Sequence, residues 1–404
     1  MRQHILSKLA AALALSFALG ASAQDSVRPD VGKPLQAAQE MIRAGKYKQA
    51  LDKVREAENV GGRTANENYV IERMRLAAAS GAGDVETAAR SFEAVSSRVS
   101  SSDKLKMIES LAGAYYRARD YNKAMQWGQR YFREGGTSGS IRTLLIQSQY
   151  LAGDFAGAAK ELRTEIEQAE KSGSAPGEDR LKLLVNATLK LNDTNGYVWA
   201  LERLVTYYPK KEYWVDLLSR LQRKPNFSDR LALDTYRLSL ATGSMSAAND
   251  YMEMTQLALQ AGFPSEAKQI VDKGFAAGVL GTGKEAERHK RLADLVVKKV
   301  EEDKKALAEN LVEAEAAKDG SALVNSGMNL VFNGDKARGL ALMQKGIAKG
   351  NLKRPDDAKL HLGIAQLIAG DNSRAVASLR EVKGNDGTAD LARLWSLFAR
   401  KKAA

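Results

Sequence analysis

The hydrophobic and polar positions of this chain recur in a short pattern that separates amphipathic helical segments. Each copy begins with a small residue and then a Gly or a residue that replaces it. A polar residue and an aromatic or polar residue come next, and an Ala further along begins the next apolar stripe. The pattern occurs as "AGKYKQAL", "ARDYNKAM", "AGDFAGAA" and "AGDNSRAV", which begin at residues 44, 118, 152 and 369. It predicts pairs of antiparallel helices joined by tight turns.

Aligning the chain on the Gly of the first copy places ten turn centres between Gly45 and Gly370, with a mean step of about 36 residues. The predicted centres are Gly45, Gly83, Arg119, Gly153, Asn192, Pro225, Gly262, Lys298, Gly334 and Gly370. Five positions after seven of them stands a small residue that would let two helices approach closely. These residues are Ala50, Ala88, Ala124, Ala158, Ala267, Gly339 and Ala375. The repeats centred on Asn192, Pro225 and Lys298 lack it, so their boundaries are less well defined.

No alternating β-branched run bounded by turn residues occurs, so the predicted fold class is all-α. We expect an α-solenoid of about ten helix-turn-helix repeats, coiled as a right-handed superhelix. The repeats divide into an N-terminal set over 24–172 and a C-terminal set over 173–404 that continues it. The connection "KSGSAPGED" suggests a hinge at 172–178, with an ordinary long loop as the alternative. The charged stretch 296–320 is expected to be a solvated helical repeat.

The first 23 residues have the features of a secretory signal. Arg2 and Lys8 precede an apolar run over 9–19, and Ala21-Ser22-Ala23 provides small residues for cleavage. The run is too short for a stable transmembrane helix. We therefore expect cleavage after Ala23, a mature chain beginning at Gln24 and a periplasmic location, with an uncleaved signal anchor as the alternative. No later segment is apolar enough to span a bilayer.

Charge and cysteine content narrow the possible partners and chemistry. The 404-residue chain has a formal net charge of +12, which falls to +10 when Arg2 and Lys8 leave with the signal. That excess favours an acidic partner or an anionic membrane face, and export argues against nucleic acid. With no Cys, the chain has no disulfide, no thiolate metal site and no thiol nucleophile.

The sequence provides no catalytic constellation. His4 lies in the predicted signal, and His289 and His361 lie far apart in the sequence. His361 stands next to the packing residue Leu362 and has no carboxylate or Ser arrangement beside it. No G-x-S-x-G, Walker, H-E-x-x-H or Rossmann motif occurs, and "GVLGTGKEAE" lacks the Gly spacing of a phosphate loop. We expect no enzyme activity, no cofactor and no metal.

Over residues 34–397 the chain resembles the tetratricopeptide repeat family. In "HLGIAQLIAGDNSRAVASL", Leu362 and Gly363 match the Leu-Gly pair of the first helix, and Ala375 and Leu379 match the Ala and large apolar residue of the second. Trp214 and Leu217 likewise match the first-helix Trp and Leu. The resemblance implies a binding groove lined by first helices. In two adjacent repeats its positions fall on Lys106, Glu109, Tyr116, Thr143, Gln147 and Tyr150.

From about Tyr207 onward the chain is similar to periplasmic tetratricopeptide proteins described as proposed components of TonB systems. The segments that carry this similarity are "YYPKKEYWVDLL", "AGFPSEAKQIVDKGFAAGVL" and "KGIAKGNLKRPDDAKLHLGIAQL". The similarity implies a scaffold that binds a protein of the cell envelope, with TonB, ExbB or ExbD as partners. The alternative is an envelope assembly or export factor that holds polysaccharide or an outer-membrane protein.

Overall fold

The computed structural model describes residues 27–403, so the predicted signal peptide and its cleavage site lie outside the described residues. Residues 27–403 form twenty α-helices and one 3-10 helix, with no strand among them. The all-α prediction is confirmed. No helix in this part of the chain is long and apolar enough to cross a membrane.

The described residues divide into two compact units, unit 1 up to Glu165 and unit 2 from Ile166. The division lies within helix α8, a few residues before the predicted hinge at 172–178, whose flexibility stays a prediction. The helices of unit 1 are α1 (Pro29–Arg43), α2 (Tyr47–Glu58), α3 (Ala65–Ala82), α4 (Val85–Val95), α5 (Ser101–Arg117), α6 (Tyr121–Arg133), α7 (Gly139–Leu151) and the first part of α8 (Phe155–Lys171).

Unit 2 contains the remaining helices and the 3-10 helix, Asp229–Leu231. The helices are α9 (Glu178–Lys190), α10 (Thr194–Tyr207), α11 (Lys211–Gln222), α12 (Ala232–Ala241), α13 (Ala248–Gln260), α14 (Pro264–Ala276), α15 (Ala286–Ala316), α16 (Ser321–Phe332), α17 (Lys336–Lys349), α18 (Pro355–Ala369), α19 (Asn372–Arg380) and α20 (Thr388–Ala403). Across residues 27–403 the chain forms nine successive helix pairs, with α15 and α20 standing outside them.

Eight of the ten predicted turn centres have a positive φ, the conformation that ends a helix in the left-handed region. Six of them are Gly, and Arg119 (φ 63°) and Asn192 (φ 54°) adopt the same conformation. At six of these turns the next residue is an Asp whose carboxylate accepts a hydrogen bond from the third residue of the following helix. These N-caps are Asp84, Asp120, Asp154, Asp193, Asp335 and Asp371.

The seven small residues predicted at the start of the second helices are all buried, as expected. Gly339 shows why size matters there. A Cβ on Gly339 would lie 2.5 Å from the carbonyl oxygen of Gly327 in the paired helix, far inside contact distance. Because α16 and α17 approach so closely, even an Ala at this position would push them apart.

The turn predicted at Lys298 is wrong. Lys298 lies inside α15, a continuous helix of 31 residues. The segment 286–316 contains no Gly and no Pro, and most of its residues are Ala, Leu, Glu and Lys, which are strong helix formers. With no residue to end the helix at the expected spacing, one long helix replaces a helix pair.

Unit 2 also contains contacts between helices that are distant in sequence. Helix α20 packs against α10 and α12 as well as against its neighbours α18 and α19. The Ser228 N–H donates a hydrogen bond to the Asp386 carbonyl oxygen at 2.9 Å, and Lys224 pairs with Asp390 at 2.7 Å. The last helix of the chain therefore closes on the first half of unit 2.

Candidate partner-binding groove

The six residues predicted as groove positions lie on α5 and α7, three on each helix. The Tyr116 hydroxyl donates a hydrogen bond to Gln147 Oε1 at 3.1 Å, which joins the two helices. Gln147 and Lys106 are exposed, whereas Glu109, Thr143 and Tyr150 are half-buried. Both tyrosines also pack edge to face within their own helix pairs, Tyr116 on Tyr121 with ring centroids 5.7 Å apart and Tyr150 on Phe155 at 5.3 Å. Partner binding by these six residues stays a prediction.

A cavity of about 720 Å³ lies one helix pair earlier, between α3 and α5. We call it the unit 1 groove. Of the six predicted residues, only Lys106 lines it. Its apolar surface includes Leu76, Ala77, Ala79, Val85, Ala88, Val99, Met107, Leu111 and Ala114. Its polar surface includes Tyr69, Arg73, Ser80, Arg98, Ser100, Asp103, Lys106, Ser110 and Arg117.

The local sequence explains why α3 leaves space for this groove. From Ala77 to Gly83 the helix and its turn carry only Ala, Ser and Gly. On another side of the same segment, the Tyr47 ring packs so closely on Gly81 that a Cβ there would lie 2.2 Å from it. Small side chains on α3 thus admit an aromatic ring in one place and leave open space in another.

The unit 1 groove carries an excess of positive charge. Arg73, Arg98, Lys106 and Arg117 line it, with Asp103 as the only lining carboxylate. Lys106 Nζ lies 3.3 Å from Asp103 Oδ1, so one cation is partly neutralised. The exposed Arg98 and Arg117 make no ion pair with any residue of the described chain. The groove therefore has three positive charges in excess.

Asp103 is held in its charged form. The Ser100 hydroxyl donates to Asp103 Oδ2 at 2.9 Å, and this hydrogen bond, with the one from Lys106, lowers the pKa of the carboxyl below its usual value. In turn Ser100 Oγ accepts from the Asp103 N–H at 3.1 Å and caps α5. Asp103 thus forms part of the cap at the start of α5, while Arg98 and Arg117 keep no ion pair within the described chain.

Tyr69 positions two of these guanidinium groups. The Arg73 Cζ lies 5.7 Å and the Arg98 Cζ 5.2 Å from the centre of the Tyr69 ring. Cation–π attraction at such distances stabilises each charge without neutralising it. The Arg98 guanidinium group therefore remains available to an anion that enters the groove.

A second polar cluster, which no motif or spacing in the sequence indicates, lies inside unit 2. Arg237 donates to Glu266 through Nε at 2.7 Å and Nη2 at 2.6 Å, and to Asp234 through Nη1 at 2.6 Å. His361 Nε2 lies 3.0 Å from Asp234 Oδ2. The expectation that His361 has no carboxylate beside it is therefore wrong in space, because Asp234 reaches it across 127 residues of sequence.

The charges in this cluster stabilise each other. Burial alone would raise the pKa of Asp234, but His361 and Arg237 outweigh it and hold that pKa below its usual range. Burial would likewise lower the pKa of Arg237, but Glu266 and Asp234 raise it. The side chains of Asp234, Arg237 and Glu266 are at most 5% exposed. The Arg237 Cζ lies 5.2 Å from the ring centre of Phe263 and 5.5 Å from that of Phe332. The cluster braces the interior of unit 2.

Neither remaining His has a metal-binding arrangement around it. His289 is buried, and its Nδ1 accepts a hydrogen bond from the Gly281 N–H at 3.1 Å, which assigns it a packing role. Within residues 27–403 there is no group of three or more His, Cys, Asp or Glu side chains that could hold a metal ion.

Comparisons with known proteins found no matching family model and no matching curated protein sequence. Solved structures that align with the chain include yeast Tom70, at 14% identity and TM-score 0.25, over 92% of this chain and 96% of that one. The TPR2AB domain of yeast Sti1 in its pHSP90 complex aligns at 12% identity and TM-score 0.23, over 74% and 99%. The maize pentatricopeptide repeat protein PPR10 aligns at 14% identity and TM-score 0.29, over 97% and 64%.

At these TM-scores the likeness is too weak to carry a conclusion about this chain. Its own geometry is more informative. Helix pairs recur with left-handed turn residues between them, and small residues are buried where the second helices begin. On that basis, the chain has the helix-pair architecture of a tetratricopeptide-like repeat protein.

Proposed function

We propose that this protein is a periplasmic scaffold that holds an acidic segment of a protein partner in the unit 1 groove. We further propose that it is an accessory component of a TonB-ExbB-ExbD energy-transducing uptake system. The observation that carries the proposal is the groove, which joins an apolar floor to the exposed guanidinium groups of Arg98 and Arg117.

The size of the groove suits a peptide segment. A volume of about 720 Å³ is within the range of ordinary ligand sites, roughly 300–1,000 Å³, and accommodates a few side chains. Helical repeat proteins commonly bind extended or helical segments along such surfaces. Leu111 and Met107 would bury an apolar side chain of the segment, while the charged rim selects its acidic residues.

Charge supports an acidic partner at two levels. The groove has three excess cations, and the mature chain would carry a net charge of +10. Long-range attraction raises the association rate, and salt weakens it because exposed charges are screened over about 8 Å at physiological ionic strength. Binding should therefore weaken steeply as salt is added.

The assignment to the periplasm and to a TonB system has a different basis. It rests on the predicted signal over residues 1–23 and on the similarity to periplasmic TonB-associated repeat proteins from Tyr207 onward. The unit 1 groove adds a site on which such a partner could dock.

A deletion strain tests both parts of the proposal. We expect the strain to lose energy-dependent uptake of iron chelates or haem. Its resistance to detergent, which reports the integrity of the outer membrane, should stay normal. The wild-type gene should restore uptake, and the variant Arg98→Glu with Arg117→Glu should not. The matched control is Arg43→Glu with Arg133→Glu, two exposed arginines of unit 1 outside the groove, which should restore uptake fully.

The opposite pattern would reject the assignment. Normal chelate uptake in the deletion strain, together with a defect in polysaccharide export or outer-membrane protein assembly, would favour the envelope-assembly alternative. If the groove variant and the control restore uptake equally, the groove is not the binding site.

A further inference from the structure

The C-terminal half of α15 contains few buried residues. The buried residues of this helix include Leu292, Val296 and Val300, and the next is Ala314. Between 301 and 313 no residue is buried, and Val312 is 69% exposed. This half of the helix therefore leaves a face open to solvent around Val312.

The exposed residues of this region form one stripe. Ala308, Glu309, Val312, Glu313 and Ala316 follow one another at helical spacings of one and three residues, which places them on one face. We call them the acidic stripe. All five are exposed.

The acidic stripe also carries charge that the described chain leaves uncompensated. Glu309 and Glu313 make no ion pair with any residue in 27–403, whereas Glu302 and Glu315 pair with Lys299 and Lys345, each at 2.7 Å. Between 301 and 316 stand six acidic residues and two lysines, although the chain as a whole has a net charge of +12. The stripe is thus an acidic and apolar surface on a basic protein.

We propose that the acidic stripe of one copy docks in the unit 1 groove of a second copy. The proposal rests on the same groove as the proposed function, and it names the occupant of that groove when the partner is absent. A helix that presents apolar and acidic residues one turn apart fits a groove with an apolar floor and a basic rim. The chain thereby supplies both halves of a complementary contact.

The contact assigns a role to each group. Val312 would bury its side chain against Met107 and Leu111, while Glu309 and Glu313 reach Arg98 and Arg117 at the rim. Each copy would use a different surface from that of its neighbour, so the association is head to tail and can continue through further copies. A partner that binds the groove must then displace the stripe, and self-association regulates access to it.

Sedimentation velocity of the purified mature protein tests this directly. From about 1 to 100 µM in low salt the weight-average mass should rise with concentration, as expected for a moderate affinity. Raising NaCl from about 50 to 500 mM should reverse the rise because it screens the charges. The variant Glu309→Lys with Glu313→Lys should weaken self-association about tenfold or more.

Two further variants make the test specific. Glu287→Lys with Asp294→Lys changes two exposed acidic residues near the start of α15 by the same charge, and it should associate like the wild type. Arg98→Glu with Arg117→Glu should abolish self-association alone. Mixed with Glu309→Lys plus Glu313→Lys, it should recover association, since each reversed surface then meets its opposite.

A wild-type protein that stays monomeric over the whole concentration range in low salt overturns the proposal. So does self-association that the stripe variant leaves unchanged or that the mixture fails to recover. If the wild type is monomeric while groove variants still lose uptake in cells, the self-docking inference fails and the proposed function stands. If self-association follows the predicted pattern while groove variants keep normal uptake, the self-docking inference stands and the proposed function fails.

Discussion

Units 1 and 2 are built from the same helix pairs but are stabilised differently. In unit 1, the main contacts of α1 to α7 run only to the next helix and the next but one. In unit 2, α20 returns to α10 and α12, and Asp234 and His361 pair across the interior. A local repeat pattern can therefore build either an array of neighbour contacts or a closed body, depending on a few distant polar and apolar contacts.

The difference extends to where each unit keeps its charges. Unit 2 buries Arg237 between two carboxylates, whereas unit 1 leaves Arg98 and Arg117 exposed at a groove without an ion pair in the described chain. Removing one member of a buried set of paired charges leaves another charge uncompensated and destabilises the fold. Exposed charges without a partner cost little and remain available to a ligand. The comparison supports a bracing role for the Arg237 cluster of unit 2 and the binding role that we propose for unit 1.

The largest expected effect comes from breaking the brace of unit 2. Arg237→Ala leaves Glu266 buried without its counter-charge and Asp234 with His361 alone, and we expect a loss of about 3–5 kcal/mol in the free energy of unfolding. Chemical denaturation followed by circular dichroism measures it. Arg380→Ala, which removes an exposed Arg of α19, should change stability by less than about 0.5 kcal/mol. A similarly small loss for Arg237→Ala would remove the distinction between the units.

The second prediction concerns what the units share. Ala375 in unit 2 and Ala50 in unit 1 are both fully buried at the start of a second helix. Replacing either by Leu should cost roughly 1–3 kcal/mol because the extra side chain overpacks a close helix contact. Denaturation curves of the two variants should show losses of similar size. Unchanged stability for either variant would mean that its helix pair is placed wrongly.

The third prediction concerns an ion pair at the start of unit 1. Glu67 is fully buried and accepts hydrogen bonds from Arg28 Nε at 2.9 Å and from the Thr64 N–H at 2.8 Å. These interactions, the Arg28 hydrogen bond first, lower the pKa of Glu67 to about 2. Glu67→Gln should therefore cost roughly 1–2 kcal/mol near neutral pH.

The pH dependence gives this prediction its sign. Because the folded pKa is below the ordinary value of 4.5, the stabilisation is fully present above pH 4.5 and is lost as the pH falls towards 2. The difference in stability between wild type and Glu67→Gln should thus narrow over that interval. A difference that stays constant from pH 7 to pH 3 would contradict the assigned ionisation.

Local features of the fold could be predicted from the sequence because local chemistry determines them. Gly45 and Gly370 end helices in a conformation that Gly adopts readily, and Ala375 is small where two helices meet. The Asp that follows six of these turns is a further local signal, because its carboxylate caps the second helix. The turn predicted at Lys298 is wrong because only the repeat spacing indicated it, and no residue that ends a helix stands there.

The candidate site could be predicted only in part. The sequence predicts Lys106 as a groove residue, and Lys106 does line the groove between α3 and α5. The space of the groove comes from the small residues Ala77–Gly83, and a run of small residues alone does not show whether a neighbouring helix fills that space. The pairing of Asp234 with His361 was missed for a related reason. Their separation of 127 residues carries no periodic signal.

Crosslinking in intact cells tests most directly whether unit 1 binds a partner through its groove. A photoreactive residue would replace Ser110, which lines the groove on α5, or Gln126, which is exposed on α6 of the same helix pair. We predict that Ser110 captures a TonB-system protein, that Gln126 does not, and that Arg98→Glu with Arg117→Glu abolishes the capture. Capture from Gln126 alone, or equal capture from both positions, would contradict the groove as the binding site.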